Sequence, residues 1–384
     1  MKSSLHNKQL MTGNEAAAEA AIQAGCRFYY GYPITPQNEI INYMATRMLQ
    51  VGGTFIQAES EIAAINMLYG SAAAGARAMT SSSGPGISLK QEGLSYLAGS
   101  ELPCVIVNVQ RGGPGLGDIS PSQSDYFQAV KGGGHGDYRL IVLAPSSVQE
   151  VADLVYDGFD LADKYRNPVM ILGDAQLGQM MEPVEFYKPA KTYLPPKKWA
   201  LSGADGRPKN VVKSFYPVKG ELERFNAHLQ RKYRRIEETE IRYEEINTKE
   251  ADIILVAYGT CARISNEVVK RTSEMGHRVG LMRPVTLWPF PKEALQRLSR
   301  KAKAFLVIEM SAGQMVEDVK LSILGRRPVF FYGRTGGGVP STKDIINKIL
   351  EVLPKIVKTG PVKMTETLNV ETQNVKQNVE TQNA

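Results

Sequence analysis

The sequence contains only three cysteines, Cys26, Cys104 and Cys261, which lie far apart and form no Cys-x-x-Cys motif. A structural zinc site or an iron–sulfur cluster usually needs four ligands, mostly cysteines at close spacing. The chain therefore lacks the residues to hold such a group by itself. An odd number of well-separated cysteines also argues against a disulfide framework and favours free thiols in the cytoplasm.

Histidines and long apolar runs are also few. The 4 histidines show no metal-ligand spacing. No apolar run reaches the roughly 18 residues that a membrane span requires, and the first residues lack the apolar segment and cleavage site of a secretory signal. We therefore expect a cytoplasmic protein that has no metal site of its own and does not contact a membrane.

Phosphate-binding signatures are missing as well. There is no G-x-x-x-x-G-K-[ST] loop, and in RGGPGLG no G-x-G-x-x-G spacing opens a helix, because Pro114 and Pro121 interrupt it. These absences argue against a stand-alone nucleotide-binding protein.

The net charge is +7, and much of the excess lies within residues 188–235. This basic segment is either a solvated face or a docking surface for an acidic partner or ligand. No basic motif interleaved with aromatic residues accompanies it, so we expect no nucleic-acid partner.

Short apolar segments alternate with amphipathic ones from residue 10 to 180, a pattern typical of a doubly wound parallel sheet. PCVIVNVQ at 103–110 is almost wholly apolar, as a central strand covered on both faces should be. The charged stretch 219–247 predicts one long helix. A second alternating unit follows it.

The sequence therefore predicts an α/β protein with two doubly wound parallel-sheet domains and a helical linker. The predicted segments are a first domain at 1–184, a linker with the long charged helix at 185–248, a second domain at 249–358 and a disordered tail at 359–384. The tail is polar, repeats NVETQN and has no apolar face.

Polar or glycine-rich loops follow four predicted strands of the first domain. These loops are GYPITP, AESE, TSSSGPG and RGGPGLGD. Because ligands of open α/β sheets bind beyond the carboxyl ends of the strands, the loops predict a binding site at one edge of the first sheet.

Two charged residues in these loops are candidates for chemistry. Glu61 begins an apolar helix, where it is either an acid favoured by the helix dipole, worth under about 1 kcal/mol, or a functional acid. Arg111 ends the apolar strand, where an unpaired charge is costly. It is either half of a structural ion pair or a clamp for a substrate carboxylate, which arginine binds bidentately. Spacing leaves both alternatives open at each position.

Several long motifs occur in order along residues 10–355. They are GYPITPQNE, QAESEIAAINMLYGSAAAGARAMTSSSGPGISLKQEG, VIVNVQRGGPG, KGGGHGDYRLIVLAPSS, VAYGTCARI, RPVTLWPFP, EMSAGQMVEDV and FYGRTGGGVP. On these motifs the sequence resembles the alpha subunit of 2-oxoacid:ferredoxin oxidoreductases, which are thiamine-diphosphate enzymes of the pyruvate:ferredoxin oxidoreductase superfamily. It is most similar to the 3-methyl-2-oxobutanoate (branched-chain 2-oxoacid) type. The resemblance implies a thiamine pyrimidine-binding first domain and a transketolase C-terminal-like second domain.

The resemblance also implies roles for individual residues. Through SEIAAINMLYG, Glu61 is expected to hydrogen-bond N1′ of the aminopyrimidine, since a carboxyl group in a low-dielectric pocket shares its proton readily with a ring nitrogen. Through YPITP, Thr35 is expected to be a substrate-side hydroxyl, and Arg111 to contact the substrate carboxylate. The residues expected to line the cofactor cleft are Pro33, Ile34, Ser81, Ser82, Ser83 and Gly84.

Other parts of the enzyme are implied to lie on other chains. No GDG…N motif for a Mg2+–diphosphate site occurs, and Asp174 in ILGDAQLG is the nearest approach. The resemblance implies a beta subunit that carries the diphosphate and Mg2+ site and a cluster, and small ferredoxin-like subunits that carry further iron–sulfur clusters. Ferredoxin is then the electron acceptor and coenzyme A a co-substrate. We therefore expect an obligate hetero-oligomer that converts a 2-oxo acid to acyl-CoA and CO2.

The loop after Arg111 bears on the substrate. In the 2-oxoglutarate type this loop resembles GPSTGMPTK, with a lysine suited to a second carboxylate, whereas here it reads GPGLGDISPSQ with Asp118. An acid there should repel a dicarboxylate, which favours branched-chain 2-oxo acids. The alternatives are a 2-oxoglutarate oxidoreductase alpha subunit and a non-catalytic scaffold subunit of such a complex.

Overall fold

The computed structural model describes residues 8–186 and 194–358. The predicted tail at 359–384 lies outside the described residues, as does part of the predicted linker. In the described part of the chain, no helix is long and apolar enough to cross a bilayer.

The larger sheet of the described residues has 7 strands in the order β12-β6-β7-β5-β4-β2-β3. Its strands are β2 (Phe28–Gly31), β3 (Thr54–Gln57), β4 (Ala78–Ser82), β5 (Cys104–Gln110), β6 (Ile141–Leu143), β7 (Pro168–Asp174) and β12 (Thr286–Trp288). All neighbouring strands are parallel except the antiparallel pair β12–β6. The parallel sheet predicted for the first domain is therefore confirmed.

Helices connect and cover these strands. They are α1 (Gly13–Gln23), α2 (Asn38–Gln50), α3 (Glu61–Ala73), α4 (Gly84–Gly99), α5 (Tyr126–Lys131), α6 (Val148–Tyr165) and α7 (Ala175–Gln179). Central strand β5 is buried at every residue, with α4 and α6 packed near it. Helix α1 begins with a capping box, in which the Thr12 side chain and Glu15 satisfy each other's backbone N–H groups. Just before it, β1 (Gln9–Thr12) pairs antiparallel with β8 (Met181–Val184).

The second sheet has 5 strands in the order β14-β13-β10-β11-β9 among the described residues. They are β9 (Tyr243–Ile246), β10 (Ile253–Val256), β11 (Val279–Pro284), β13 (Ala304–Glu309) and β14 (Val329–Gly333). Edge strand β9 is antiparallel and the others are parallel. The helices of this part are α9 (Gly259–Glu274), α10 (Lys292–Leu298), α11 (Met315–Ile323) and α12 (Thr342–Lys358).

The long helix predicted across 219–247 is shorter than expected. Helix α8 spans Glu221–Thr239 and buries Leu229, Tyr233 and Ile236 along one face. The prediction was wrong beyond residue 239, because Tyr243–Ile246 is an edge strand paired with β11. Charge alone did not distinguish a helix from a polar edge strand.

The proline-rich stretch after β11 also belongs to a sheet. Residues 286–288 form strand β12, which pairs with β6 of the larger sheet. The Ala144 N–H also donates to the Val285 carbonyl at 2.8 Å. The first sheet is therefore completed by residues that lie far along the chain.

Gln123 joins the two sheets with hydrogen bonds from its backbone and side chain. Its backbone N–H donates to the Met310 carbonyl at 2.8 Å, and its Oε1 accepts from the Met310 N–H at 3.0 Å. Its Nε2 donates to the Tyr258 carbonyl at 2.9 Å. Met310 follows β13 and Tyr258 follows β10, so loops from both sheets are held against each other.

Candidate active site

The four loops singled out in the sequence lie at one edge of the larger sheet. They follow β2, β3, β4 and β5, which are neighbours in the order β5-β4-β2-β3. Since these strands are parallel, their carboxyl ends share an edge. The structure therefore brings the predicted loops together.

Glu61 is the first residue of α3 and is only 6% exposed. Ser60 caps the helix by accepting from the Ala63 N–H at 3.1 Å, so the first turn has an N-cap that does not use Glu61. Within the described residues, no donor hydrogen-bonds the Glu61 carboxylate. A buried carboxylate without a donor is costly, unless a ligand supplies one.

Helix α4 begins beside this carboxylate and leaves space only for glycine. A Cβ at Gly86 would lie 2.3 Å from Ser82 Oγ and 2.5 Å from Glu61 Oε1. Ser82 is buried, and its hydroxyl has no partner among the described residues. The Glu61 carboxylate and the Ser82 hydroxyl therefore form a pair of polar groups that both lack a partner.

The other two serines of the loop bind inside the protein. The Ser81 hydroxyl lies 2.6 Å from the Tyr29 hydroxyl and donates to Gln37 Oε1. The Ser83 hydroxyl donates to the Val109 carbonyl at 2.6 Å. Of the three serines predicted to line the cleft, Ser82 alone has a hydroxyl without a partner in the part of the chain that the structure describes.

Arg111 lies on the other side of the first turn of α4. Its guanidinium donates to the Thr35 and Leu116 carbonyls, each at 2.9 Å, and its Nε has no partner. Gly84 has φ +46°, and a Cβ there would lie 2.8 Å from that Nε. Arg111 is 6% exposed and makes no ion pair within the described residues. The structural ion pair considered for this residue is therefore absent there.

Arg111 borders a cleft of about 710 Å3 between the two sheets. Gly84 and Ser124 line it from the first sheet's side, and Met310 and Gln314 from the second's. Asp125 also lines it, and burial raises the pKa of that carboxyl despite a hydrogen bond from Asn108 and the charge of Arg111. The cleft therefore presents a guanidinium and the N-terminus of α4, and both attract anions.

The YPITP loop lies beside this cleft. Pro33 is exposed, Ile34 and Thr35 are half-buried, and the Thr35 carbonyl is the group that contacts Arg111. The Thr35 hydroxyl accepts a long bond from Asn38 Nδ2 at 3.4 Å. The structure thus brings Thr35 and Arg111 together through the Thr35 backbone carbonyl, and the substrate contacts expected of the two residues stay predictions.

Asp174 forms hydrogen bonds within the protein and is not part of an open metal site among the described residues. Its carboxylate accepts from the Leu177 N–H and from both the hydroxyl and the N–H of Thr260. These bonds cap α7 and the start of α9. Burial raises the pKa of Asp174 against these hydrogen bonds. Across the described ranges, no group of three His, Cys, Asp or Glu side chains could hold a metal ion.

Lys90 was missed in the sequence. It is fully buried on α4, and its ammonium group donates to the Glu61 carbonyl at 3.4 Å and to the Thr80 hydroxyl at 3.1 Å. The spacing of Ile87, Lys90 and Leu94 places the lysine on the apolar face of the helix, which is the signal that could have revealed it.

These features form one candidate site: a buried acid at a helix start, beside a hydroxyl that has no partner among the described residues and a glycine that allows close approach. The residues present fit the aminopyrimidine, which offers donors and a basic ring nitrogen to them. Residues 19–247 match the family described as pyruvate flavodoxin/ferredoxin oxidoreductase, thiamine diphosphate-binding, and residues 251–345 match pyruvate:ferredoxin oxidoreductase core domain II. The chain belongs to this oxidoreductase family.

Individual relatives agree with this family. The ketoisovalerate oxidoreductase subunit VorB of Methanothermobacter marburgensis is 53% identical over 90% of this chain and 97% of its own length. The 2-oxoglutarate synthase subunit KorA of Archaeoglobus fulgidus is 40% identical over 81% of this chain and 90% of its own. The higher identity to VorB supports the branched-chain type predicted from the motifs.

A solved structure is also similar. The 2-oxoglutarate:ferredoxin oxidoreductase from Magnetococcus marinus, solved with 2-oxoglutarate, coenzyme A and succinyl-CoA bound, matches with a TM-score of 0.79 and 29% identity. The match covers 90% of this chain and 65% of that one, so this chain spans about two thirds of that relative. The predicted α/β fold is confirmed.

Proposed function

We propose that this chain is the alpha subunit of a thiamine-diphosphate-dependent 2-oxoacid:ferredoxin oxidoreductase. The assembled enzyme would decarboxylate a branched-chain 2-oxo acid, 3-methyl-2-oxobutanoate, to acyl-CoA and CO2 and pass electrons to ferredoxin. The observation that supports this most directly is the Glu61 carboxylate, which is buried at the start of α3 and lacks a donor within the described residues. The match to the oxidoreductase family and the similarity to the VorB subunit support the same activity.

Glu61 would hold a proton between its carboxylate and N1′ of the aminopyrimidine. The side chain leaves the first residue of α3, and the apolar residues behind it, such as Ile65 and Leu68, are buried. In such an environment a carboxyl group and a ring nitrogen share a proton readily. The cofactor, when bound, supplies a nucleophilic carbon that stabilises charge released on decarboxylation.

Arg111 would bind the carboxylate of the 2-oxo acid. Its guanidinium is oriented by the Thr35 and Leu116 carbonyls, and its unpartnered Nε faces the α4 start. The nearby Thr35 hydroxyl would contact the same substrate. This arrangement leaves the charge of Arg111 available to an incoming carboxylate.

Asp118 supports a substrate with one carboxylate. It is exposed in the loop after Arg111, and hydrogen bonds from Ser120 and the Ile119 N–H hold its pKa below the ordinary value. Arg111 adds a smaller contribution. The ionised Asp118 would repel the distal carboxylate of 2-oxoglutarate but not an isopropyl group.

The remaining parts of the enzyme would come from partner subunits. A beta subunit would hold the diphosphate, Mg2+ and a cluster, small ferredoxin-like subunits would hold further iron–sulfur clusters, and coenzyme A would enter as co-substrate. All three cysteines here are free and buried, so they are not placed to bind clusters. The free thiols also fit the expected cytoplasmic location.

The test is 2-oxo-acid-dependent reduction of a viologen dye by the purified complex. We expect Glu61→Gln and Glu61→Ala to lower turnover at least a hundredfold, since this acid would act on the cofactor itself, while the complex stays assembled. Wild-type complex should use 2-oxoisovalerate in preference to 2-oxoglutarate. Near-normal turnover of Glu61→Ala would refute the role of Glu61, and a preference for 2-oxoglutarate would refute the substrate.

A scaffold subunit without a role in turnover is the second candidate, because α8 carries an exposed basic run that includes Arg231, Arg234 and Arg235. That candidate predicts that Glu61→Ala leaves activity intact, whereas charge reversal across 231–235 breaks the complex. The same two variants therefore distinguish the candidates.

A further inference from the structure

Lys90 is a fully buried lysine beside the acid of the proposed site. It lies on the apolar face of α4, where Ile87 and Leu94 are also fully buried. Burying an ammonium group costs free energy that an apolar side chain of similar length would not. A charge kept at such cost next to a site residue is more readily explained by function than by packing.

The contacts of Lys90 fix its ammonium group against the start of α3. Its Nζ donates to the Glu61 carbonyl at 3.4 Å and to the Thr80 hydroxyl at 3.1 Å. Thr80 in turn donates to the Tyr30 carbonyl at 2.6 Å, so its oxygen faces Lys90 as an acceptor. An ammonium group has three donors, and only these two acceptors contact it in the described part of the chain.

The electrostatic partner of Lys90 is Glu61. Burial lowers the pKa of Lys90 to about 8, although the negative charge of Glu61 acts on that pKa in the opposite direction. The elements that contact the ammonium are α3, through Glu61, and β4, through the uncharged Thr80. Among the described residues, Glu61 is the one charged group that influences Lys90, although the two side chains form no direct ion pair. Lys90 is therefore charged at neutral pH and becomes neutral above pH 8.

We propose that Lys90 is a positioning residue for Glu61: its ammonium group holds the start of α3 in place through the Glu61 carbonyl, and its charge acts on the Glu61 side chain. This inference rests on the proposed function. The proton that Glu61 and the ring nitrogen share would then pass across a geometry that Lys90 holds fixed. No other bond changes in this step.

The test is hydrogen–deuterium exchange at the thiazolium C2 of thiamine diphosphate bound to the full complex, measured by quenching and proton NMR. We expect Lys90→Met to slow this exchange at least tenfold at pH 7. The wild-type rate should fall as the pH rises through 8, whereas the Lys90→Met rate should lack this step. Cofactor affinity, measured by fluorescence quenching, should weaken severalfold in the variant.

Lys232→Met is the matched control, since Lys232 is another largely buried lysine with a lowered pKa, and its Nζ binds Glu101, which follows the C-terminal end of α4 and not its start. It should leave exchange and its pH profile unchanged. Equal exchange rates in Lys90→Met and wild type would overturn the inference. If Lys90→Met does not assemble, a wild-type rate that stays flat or rises smoothly from pH 7 to 9.5 would overturn it.

The proposed function can fail separately. If the active complex contains no thiamine diphosphate, or if Glu61→Gln leaves exchange at the wild-type rate, the proposed function is wrong. If Glu61→Gln slows exchange and Lys90→Met does not, only the role of Lys90 is wrong.

Discussion

Arg111 is a buried cation whose hydrogen bonds, within residues 8–186 and 194–358, all go to neutral groups. Its guanidinium binds two backbone carbonyls and leaves Nε free. Asp118 and Asp125 both have pKa values that its charge lowers in part, but in the described residues neither forms an ion pair with it. A cation held in this way, at a cost in desolvation, is prepared to bind an anion.

Arg111→Lys should therefore raise KM for the 2-oxo acid by roughly 10- to 100-fold, the equivalent of about 1.5–3 kcal/mol for a charged hydrogen bond. A lysine cannot hold both carbonyls and still present a planar donor pair to a carboxylate. Steady-state viologen reduction by the complex measures the effect, which should fall mainly on KM.

Arg139→Lys is the control, because Arg139 also donates to backbone carbonyls, those of Lys131 and Tyr138, but lies away from the cleft. It should leave KM unchanged. A normal KM in Arg111→Lys would remove Arg111 from substrate binding.

Candidate site residues could be singled out from the sequence where one residue type stands apart from its surroundings, and less so where neighbours are alike. Glu61 and Arg111 could be named as candidates because an acid and a guanidinium after apolar strands are unusual, and their roles stay predictions. Ser81, Ser82 and Ser83 are identical in the sequence, and only the strand's alternation and the contacts of Tyr29 and Val109 show which hydroxyl is free.

At the scale of elements, α3 and α4 pack through glycines. A Cβ at Gly93 would lie 2.5 Å from Ile65 Cγ1, and one at Gly86 would lie 2.5 Å from Glu61 Oε1. These two glycines are seven residues apart and therefore share one face of α4. The close approach of the helices thus positions the acid of the proposed site.

Gly86→Ala should displace Glu61 and Ser82 and weaken thiamine diphosphate binding at least tenfold, because a Cβ there would lie 2.3 Å from Ser82 Oγ and 2.5 Å from Glu61 Oε1, so that both side chains must shift. Fluorescence titration of the complex with the cofactor measures this change.

Gly70→Ala in α3 is the comparison, since a Cβ there meets nothing within 4 Å. It should raise stability by up to about 1 kcal/mol through helix propensity and leave cofactor affinity unchanged. Equal affinities in Gly86→Ala and wild type would show that the α3–α4 approach does not position Glu61.

The elements themselves followed from the sequence wherever their periodicity was strong. Strand β5, Cys104–Gln110, occurs close to its predicted bounds of 103–110. Helix α4 starts at Gly84, inside TSSSGPG, which was predicted to be a loop after a strand. Strand β12 was missed because it has three residues between prolines and pairs with a strand more than a hundred residues earlier, which no local pattern encodes.

At the scale of the whole molecule, a few buried polar groups tie the two sheets together. Arg283 on β11 has a side chain that is 4% exposed, and it binds Glu150 on α6 and Glu244 on β9. It also donates to the Ser146 hydroxyl at 2.9 Å. The cleft beside Arg111 lies between the same two sheets, so these contacts fix the relative placement of its walls.

The pKa of Glu150 is shifted by its contact with Arg283. Burial raises it, but hydrogen bonds and charge from Arg283 outweigh burial and hold it below the ordinary value of 4.5. Below pH 4.5 the unfolded chain binds more protons at this group than the folded chain does. The stabilisation by Glu150 is therefore complete above pH 4.5 and is lost as the pH falls through the folded-state pKa.

Arg283→Met should lower the free energy of unfolding by roughly 2–4 kcal/mol at pH 7, because it leaves the half-buried Glu150 carboxylate without its cation. The loss of Glu244, the other partner of Arg283, adds less to this cost because Glu244 is exposed to solvent. Urea unfolding at several pH values measures the difference from wild type, which should shrink below pH 4.5 as Glu150 takes up a proton. Arg278→Met is the control, since that arginine is 58% exposed in its pair with Asp252 and should cost under about 1 kcal/mol. If both variants lost the same stability at every pH, the buried contacts of Arg283 would not be what fixes the two sheets relative to each other around the cleft.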